Sequence, residues 1–351
     1  MLAFVPAVGV LRWLAPEREV LLFACACLAI VTLAGWIGRA TEQLAERLGE
    51  GLGGLANATF GNAAELIVGI AALRHGLVGI AKASLAGSIL GNLLLVLGAA
   101  MLAGGLRHHT LCFNASAARA QSSMLTLAAI GLLAPAAASA LGGRAAGSGG
   151  LSLAVALILI ATYACGLVFS LRTHRRLFLG GGCRASEVAP EPAAFMPWKL
   201  GSALGVLAAA TALTAWISEG LAAVIQPAAR ALGMSDLFVG VVVLAIIGNA
   251  AEHATVIQLA RQDRADLVVG IAVGSSAQVA MFVAPLLVLL SRFVGPHPMD
   301  LVFSIPEVLA VGAAVAIAGQ VAGDGESNWL EGVQLLAVYA VLAALFFFLP
   351  G

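Results

Sequence analysis

Gly61–Arg74 reads GNAAELIVGIAALR and Gly248–Arg261 reads GNAAEHATVIQLAR. A shift of 187 residues lays the first on the second, carries Gly87 and Ser88 onto Gly274 and Ser275, and leaves 10 of the 36 paired positions from 61 to 96 identical. Apolar composition alone does not reproduce a five-residue motif with a carboxylate in it, so the chain reads as a duplication. Glu65 is the only charge between Gly51 and Leu73, and Glu252 is the only formal charge between Asp236 and Arg261. Each glutamate is therefore expected near the middle of an apolar helix.

Of 351 residues, 61% are hydrophobic and 10% charged, against about 25% charged in a soluble domain. With mean hydropathy +1.02 and 18 basic side chains balancing 18 acidic ones, the composition is that of an all-α polytopic membrane protein. It excludes a soluble multidomain enzyme. It also excludes nucleic-acid binding, which needs a basic face to neutralise phosphates. A spanning helix takes about 20 apolar residues at about 1.5 Å each. That ruler predicts eleven transmembrane helices, near 2–15, 20–38, 54–73, 77–105, 122–141, 151–171, 199–225, 237–260, 267–291, 301–321 and 331–349.

The polar stretch 173–198, THRRLFLGGGCRASEVAPEPAAFMPW, carries the Gly and Pro clusters of a linker. It divides a leading helix (1–18) and a first five-helix repeat (19–172) from a second five-helix repeat (199–351). Five is odd, so the second repeat lies inverted relative to the first. Inverted repeats mark secondary transporters, whose site sits at the repeat interface near the bilayer midplane. Eleven of the 18 Lys and Arg residues fall beside even-numbered loops and seven on the other side, which predicts a cytoplasmic N-terminus and an outside C-terminus. The N-terminal segment has no basic n-region and no small-residue cleavage site, so it reads as the first helix rather than a signal peptide.

A carboxylate deep in a bilayer is costly and normally faces a cavity, a partner or an ion. Asn62 and Asn249 each precede the glutamate by three residues and share its helix face. Gly61 and Gly248 allow the helix to open there and free backbone carbonyls. Ser88, Ser275 and Gln278 add oxygens on the fourth and ninth spans. Oxygen-only coordination suits a hard divalent cation such as Ca2+. Two carboxylates in low dielectric cannot both stay ionised uncompensated, so they hold either the cation or protons, and that competition is itself an exchange mechanism.

Other polar residues read less sharply. His253 fits equally a proton relay beside Glu252 and a neutral packed donor. Glu42 and Glu219 end the second and seventh spans, either lining access routes or simply solvated, the second being preferred. Glu307 follows Pro306 near an interface. The five cysteines, Cys25, Cys27, Cys112, Cys165 and Cys183, lack paired spacing and read as small apolar side chains.

The motifs lie in longer strings: LANATFGNAAELIVGIAAL, ASLAGSILGNLLLVLG and FNASAARAQSS in the first half, then FVGVVVLAIIGNAAEHATV, DLVVGIAVGSSAQVAMFVAPLLVL and GESNWLEGVQLLAVYA in the second. In these the chain resembles the proton/calcium exchanger (CAX) family of the cation/calcium exchanger superfamily. The resemblance implies one helix preceding two inverted five-helix repeats, and export of Ca2+ driven by inward proton flow. It implies ion binding by the glutamates of the third and eighth helices, here Glu65 and Glu252, aided by Asn62 and Asn249. Ca2+ is then the transported substrate, and no cofactor is implied. Related sodium/calcium exchangers carry different sequences around their membrane acids, which favours protons as counter-ion. The linker, with only Glu187 and Glu191 as acids, departs from the acidic helix of some relatives. With no long N-terminal tail, and 16 arginines against 2 lysines, the chain looks like a compact prokaryotic form in the cell (inner) membrane.

The leading reading is a Ca2+/H+ antiporter working by alternating access, its partners Ca2+, H+ and the lipid bilayer, with a homo-oligomer left open. The nearest alternative exchanges another divalent cation such as Mn2+, or couples to Na+ or K+. A passive channel fits less well, because paired sites that hold ions suit stoichiometric coupling. An intramembrane hydrolase is set aside. The chain has no HExxH, Glu252-His253 reverses the order a zinc site needs, and Ser275 has no evident histidine base.

Overall fold

The computed structural model describes residues 2–142, 149–178 and 198–349. Its helices, numbered in chain order, begin with α1 (Phe4–Leu14), α2 (Glu19–Phe60), α3 (Ala63–Arg74), α4 (Val78–His108), α5 (Ala115–Ala140) and α6 (Gly150–Thr173). They continue with α7 (Leu200–Ala231), α8 (Asp236–Gly248), α9 (Ala250–Arg261), α10 (Ala265–Leu290), α11 (Ile305–Val321) and α12 (Trp329–Phe348). Strand β1 (Leu111–Cys112) pairs antiparallel with β2 (Glu326–Ser327), tying the end of α4 to the start of α12. Most of the expected linker, 179–197, lies outside the described residues.

Among the described residues seven helices are long and apolar enough to cross a bilayer, and α8 with α9 makes an eighth when counted as one bent span. The other three expected spans fall on α1, α3 and α11, with 11, 12 and 17 residues. These are shorter than the roughly 20 that a straight crossing takes, so length alone does not support all eleven.

Two expectations need correction. Spans 20–38 and 54–73 are not separated by a loop, because α2 runs unbroken for 42 residues. The polar stretch 39–48, RATEQLAERL, consists almost wholly of good helix formers. The break comes instead at Gly61-Asn62, so Glu65 lies in the first turn of α3 rather than mid-helix. Glu252 likewise lies in the first turn of α9, whose axis turns by 60° from that of α8.

Local signals place the helix starts. Ser304 and Glu307 form a reciprocal capping box on α11, while Asn114, Ser235 and Asn328 cap α5, α8 and α12. Turns of π-helix interrupt α4 at Gly91–Val96, α8 at Val239–Leu244 and α10 at Val279–Val283. Such turns occur often at functional sites, because they re-aim side chains.

Packing divides the helices into two groups. Val8, Ile30, Leu33, Ala210, Ile217 and Leu221 belong to one apolar cluster centred on α1, α2 and α7. A larger cluster joins α4, α5, α6, α9, α10, α11 and α12, with Leu94, Leu159, Val256, Met281, Ala314 and Leu335 at its centre. Between them, α4 crosses α8 at close range: a Cβ on Gly87 would stand 2.6 Å from Val241 Cα. At the repeat-related Gly274 the nearest atom to such a Cβ is Gln121 Nε2, at 3.8 Å. The copies share a sequence and differ in surroundings.

Candidate functional site

Asn62 and Asn249 occupy the N-cap positions of α3 and α9, yet neither side chain caps its helix. Their polar atoms are used elsewhere. Ser275 Oγ lies 3.1 Å from Asn62 Oδ1 and 3.5 Å from Glu252 Oε1, and it accepts from Asn92 Nδ2 at 3.1 Å. One hydroxyl on α10 thus joins the start of α3, the π turn of α4 and the carboxylate of α9. Asn249 Nδ2 donates to Ala245 O at 3.1 Å. Glu65 is buried against the opposite break, where a Cβ on Gly248 would stand 3.2 Å from Glu65 Oε1.

Around this junction, Asn62 Nδ2, Ser88 Oγ, Asn92 Oδ1, Asn249 Oδ1 and Glu252 Oε2 are buried without a protein partner. Buried polar atoms are nearly always satisfied, so their concentration here marks a place built for a ligand. Most are oxygens. Among the described residues no three His, Cys, Asp or Glu side chains cluster. A cation would therefore be held by two carboxylates with amide, hydroxyl and carbonyl oxygens, a hard-ion set.

The junction meets one end of the molecule and not the other. Glu252, Gly61, Ser275 and Gln278 line a cavity of about 560 Å³ whose walls include Gln121, Tyr163, Cys165 and Phe178. Glu65 instead shares a void of about 10 Å³ with Val68, Ser84, Leu221 and Gly248, room for about one water at most.

Of the residues singled out in the sequence, Glu252, Ser275 and Gln278 come together at the cavity, with Asn62 bonded to Ser275 behind its wall and Glu65 and Asn249 beside them. Ser88 is buried one turn before Asn92 on α4. His253 is partly buried, with Nε2 unpartnered, and does not line the cavity. Glu42 does not end its helix, since α2 runs on to Phe60; it is exposed and does not line the cavity. Glu219 is held by Arg74 and His75 at the opposite end. The reading of the sequence missed Asn92. A signal was present, because Gly91-Asn92 repeats the Gly-Asn pair of both motifs inside an apolar run.

A sequence profile of the sodium/calcium exchanger protein family matches residues 18–172 and 202–348. The chain belongs to this family. As an exchanger-family member it is 44% identical to the Ca2+/H+ antiporter ChaA of Bacillus subtilis, across 93% of this chain and 92% of that one. It is 42% identical to a Ca2+/H+ antiporter of Aphanothece halophytica, across 100% and 96%, and 37% identical to a vacuolar calcium ion transporter of Schizosaccharomyces pombe, across 100% and 84%. The solved structure of native YfkE matches with TM-score 0.84 and 41% identity over 99% of this chain and 98% of that one. The crystal structure of the H+/Ca2+ exchanger CAX matches with TM-score 0.71 over 99% and 90% at 15% identity, which speaks to fold alone. The exchanger fold expected from the motifs is thus the one found, and this family member is an integral membrane protein.

Proposed function

We propose that this chain is a secondary active antiporter exchanging Ca2+ for H+ by alternating access. The observation that carries the reading is the crosswise junction of the two GNAAE copies: Glu65 lies against Gly248, and Asn62 reaches Glu252 through Ser275. The cavity of about 560 Å³ is many times the ~10–15 Å³ that one water requires, so a cation reaches Glu252 with water still around it. There Glu252 Oε2, Asn92 Oδ1 and Asn249 Oδ1 stand ready to replace its water, with Glu65 supplying the second charge. Without the cation, two like charges in low dielectric draw protons instead. The site is neutralised by either occupant and holds one at a time, which is what couples the two flows. Glu65, Glu252, Asn62, Asn249, Ser275, Gln278 and Ser88 form the cation site in this reading, and the two glutamates carry the protons with His253 as a neighbour.

The proposed organisation is a leading helix 1–18, repeats 19–172 and 199–351 and a linker 173–198, supported by the 187-residue shift that lays Ala63–Arg74 on Ala250–Arg261. With the basic loops in the cytoplasm of a prokaryotic cell, the N-terminus inside and the C-terminus outside, the cavity mouth near Phe178 faces inward. The α1–α2–α7 group then shifts against the rest to close that mouth and expose the Glu65 side.

Uptake of radiolabelled Ca2+ into proteoliposomes under imposed pH, Na+ and K+ gradients, with Mn2+ as competitor, tests the reading. Uptake is expected to follow the pH gradient and to stop when it is collapsed. Uptake driven by Na+ or K+ and indifferent to pH would replace protons as the counter-ion.

A further inference from the structure

The end of the molecule away from the cavity is closed by charge. Arg74, ending α3, donates to Glu219 Oε1 on α7 at 2.6 Å, and His75 Nε2 lies 3.1 Å from Glu219 Oε2. Lys82 on α4 pairs with Asp300 and donates to Val302 O at 2.8 Å. Each pair joins the first half of the chain to the second. Gly295 closes the same end at φ +91, where a Cβ would collide with the Leu73 carbonyl. Helix α1 reaches this stretch of α7 too. A Cβ on Gly9 would stand 3.1 Å from the Trp216 ring, one on Gly220 3.0 Å from the Arg12 guanidinium, and that guanidinium lies 5.8 Å from the Trp216 ring centroid.

This placement corrects the expectation of a solvated helix end: α7 runs on past Glu219 to Ala231, and Glu219 is paired with Arg74 and His75. Two residues further on, Leu221 lines the small void that contains Glu65. Arg74 follows Glu65 by nine residues, about 13 Å along α3. Glu219 therefore sits over the sealed route to Glu65, where α7 of the α1–α2–α7 group meets α3. Opening that route has to part α7 from α3, and parting them breaks the Arg74–Glu219–His75 cluster.

We propose that Glu219, held by Arg74 and His75, is the positioning residue of a far gate: the cluster keeps the Glu65 side shut while the Glu252 side is open, and its release admits water to Glu65. The proposal rests on the alternating-access reading and adds the residues that hold one of its two states.

Thiol labelling tests it with the full chain in detergent, where a charged maleimide reaches both ends. In one background Cys25, Cys27, Cys112 and Cys183 are replaced by alanine, leaving Cys165 in the cavity wall as reporter. In the other Cys165 is replaced as well, and Val68→Cys reports on the Glu65 side. Glu219→Gln and Arg74→Gln are each expected to slow labelling of Cys165 and to speed labelling at position 68 by about twofold to fivefold. The exchanged pair Arg74→Glu with Glu219→Arg should return both rates towards wild type. Unmoved rates in both single variants overturn the gate, as does a parallel change of both reporters, the mark of a loosened fold. Labelling needs no ion gradient, so a wild-type chain without Ca2+/H+ exchange would refute the proposed function separately. Intact exchange with unmoved labelling would refute the gate alone.

Discussion

Gly87 and Gly274 are repeat partners with opposite surroundings, and alanine at each position asks whether this structure is one of two alternating states. A Cβ on Gly87 stands 2.6 Å from Val241 Cα, about 1 Å inside an ordinary contact of roughly 3.5 Å. Val241 presents backbone, so no rotamer change relieves the overlap, and α4 and α8 must part. Overpacking of this kind costs about 1–3 kcal/mol. Borne by the cavity-open state alone, that shifts the balance towards the opposite state by about 5- to 150-fold. In an inverted repeat the copies exchange surroundings between states, so Gly274 is the crowded position in the other one. Gly274→Ala, which here meets nothing nearer than Gln121 Nε2 at 3.8 Å, is expected to favour the cavity-open state. The assay is the rate at which a hydrophilic maleimide labels Cys165, with a thermal melt of each variant to show that it is folded. Gly87→Ala should slow the reaction and Gly274→Ala should not. Equal effects of the two alanines, or an unmoved rate in folded Gly87→Ala, would refute the reasoning.

Three further expectations follow from the same geometry. Glu65→Gln and Glu252→Gln should each abolish Ca2+/H+ exchange in proteoliposomes while leaving the melting temperature within a few degrees of wild type, and surviving transport in both sinks the site assignment. Ser275→Ala removes the hydroxyl that joins Asn62, Asn92 and Glu252, and losing a hydrogen bond to a charged group should weaken Ca2+ binding by about tenfold or more in calorimetry. Ser88→Ala, at the repeat-related position that does not line the cavity in this state, should weaken it less than Ser275→Ala, and equal losses would contradict the asymmetry. Ser304→Ala breaks the capping box and leaves buried Glu307 short of a donor, so stability should fall by about 1–2 kcal/mol, read by chemical denaturation; an unchanged midpoint would show that the box contributes nothing.

How far the sequence carries depends on the kind of information asked of it. Membrane residence follows from composition, and the duplication follows from identity at a fixed offset. Glu65 and Glu252 stand out because almost nothing else near them is charged. Helix ends were harder to read. RATEQLAERL looks like a polar loop by hydropathy but propagates a helix, so the break moves to Gly61-Asn62 and both glutamates move to first turns. Asn92 escaped notice because its meaning lies in Ser275, 183 residues away, a contact made by tertiary packing. Glu219 reads as an ordinary helix end, whereas α7 runs on to Ala231 and packing brings Arg74 and His75 against it.

By itself, then, the sequence determined that this protein crosses the membrane, that it is built twice over, and that two carboxylates meet oxygen donors inside it. Which end of the molecule is open was left to the tertiary structure. Both copies carry GNAAE and a Gly-Ser pair, and an inverted repeat offers the same local sequence to either state. Only packing distinguishes them, with α4 closed on α8 at Gly87 and α10 open to the cavity at Gly274.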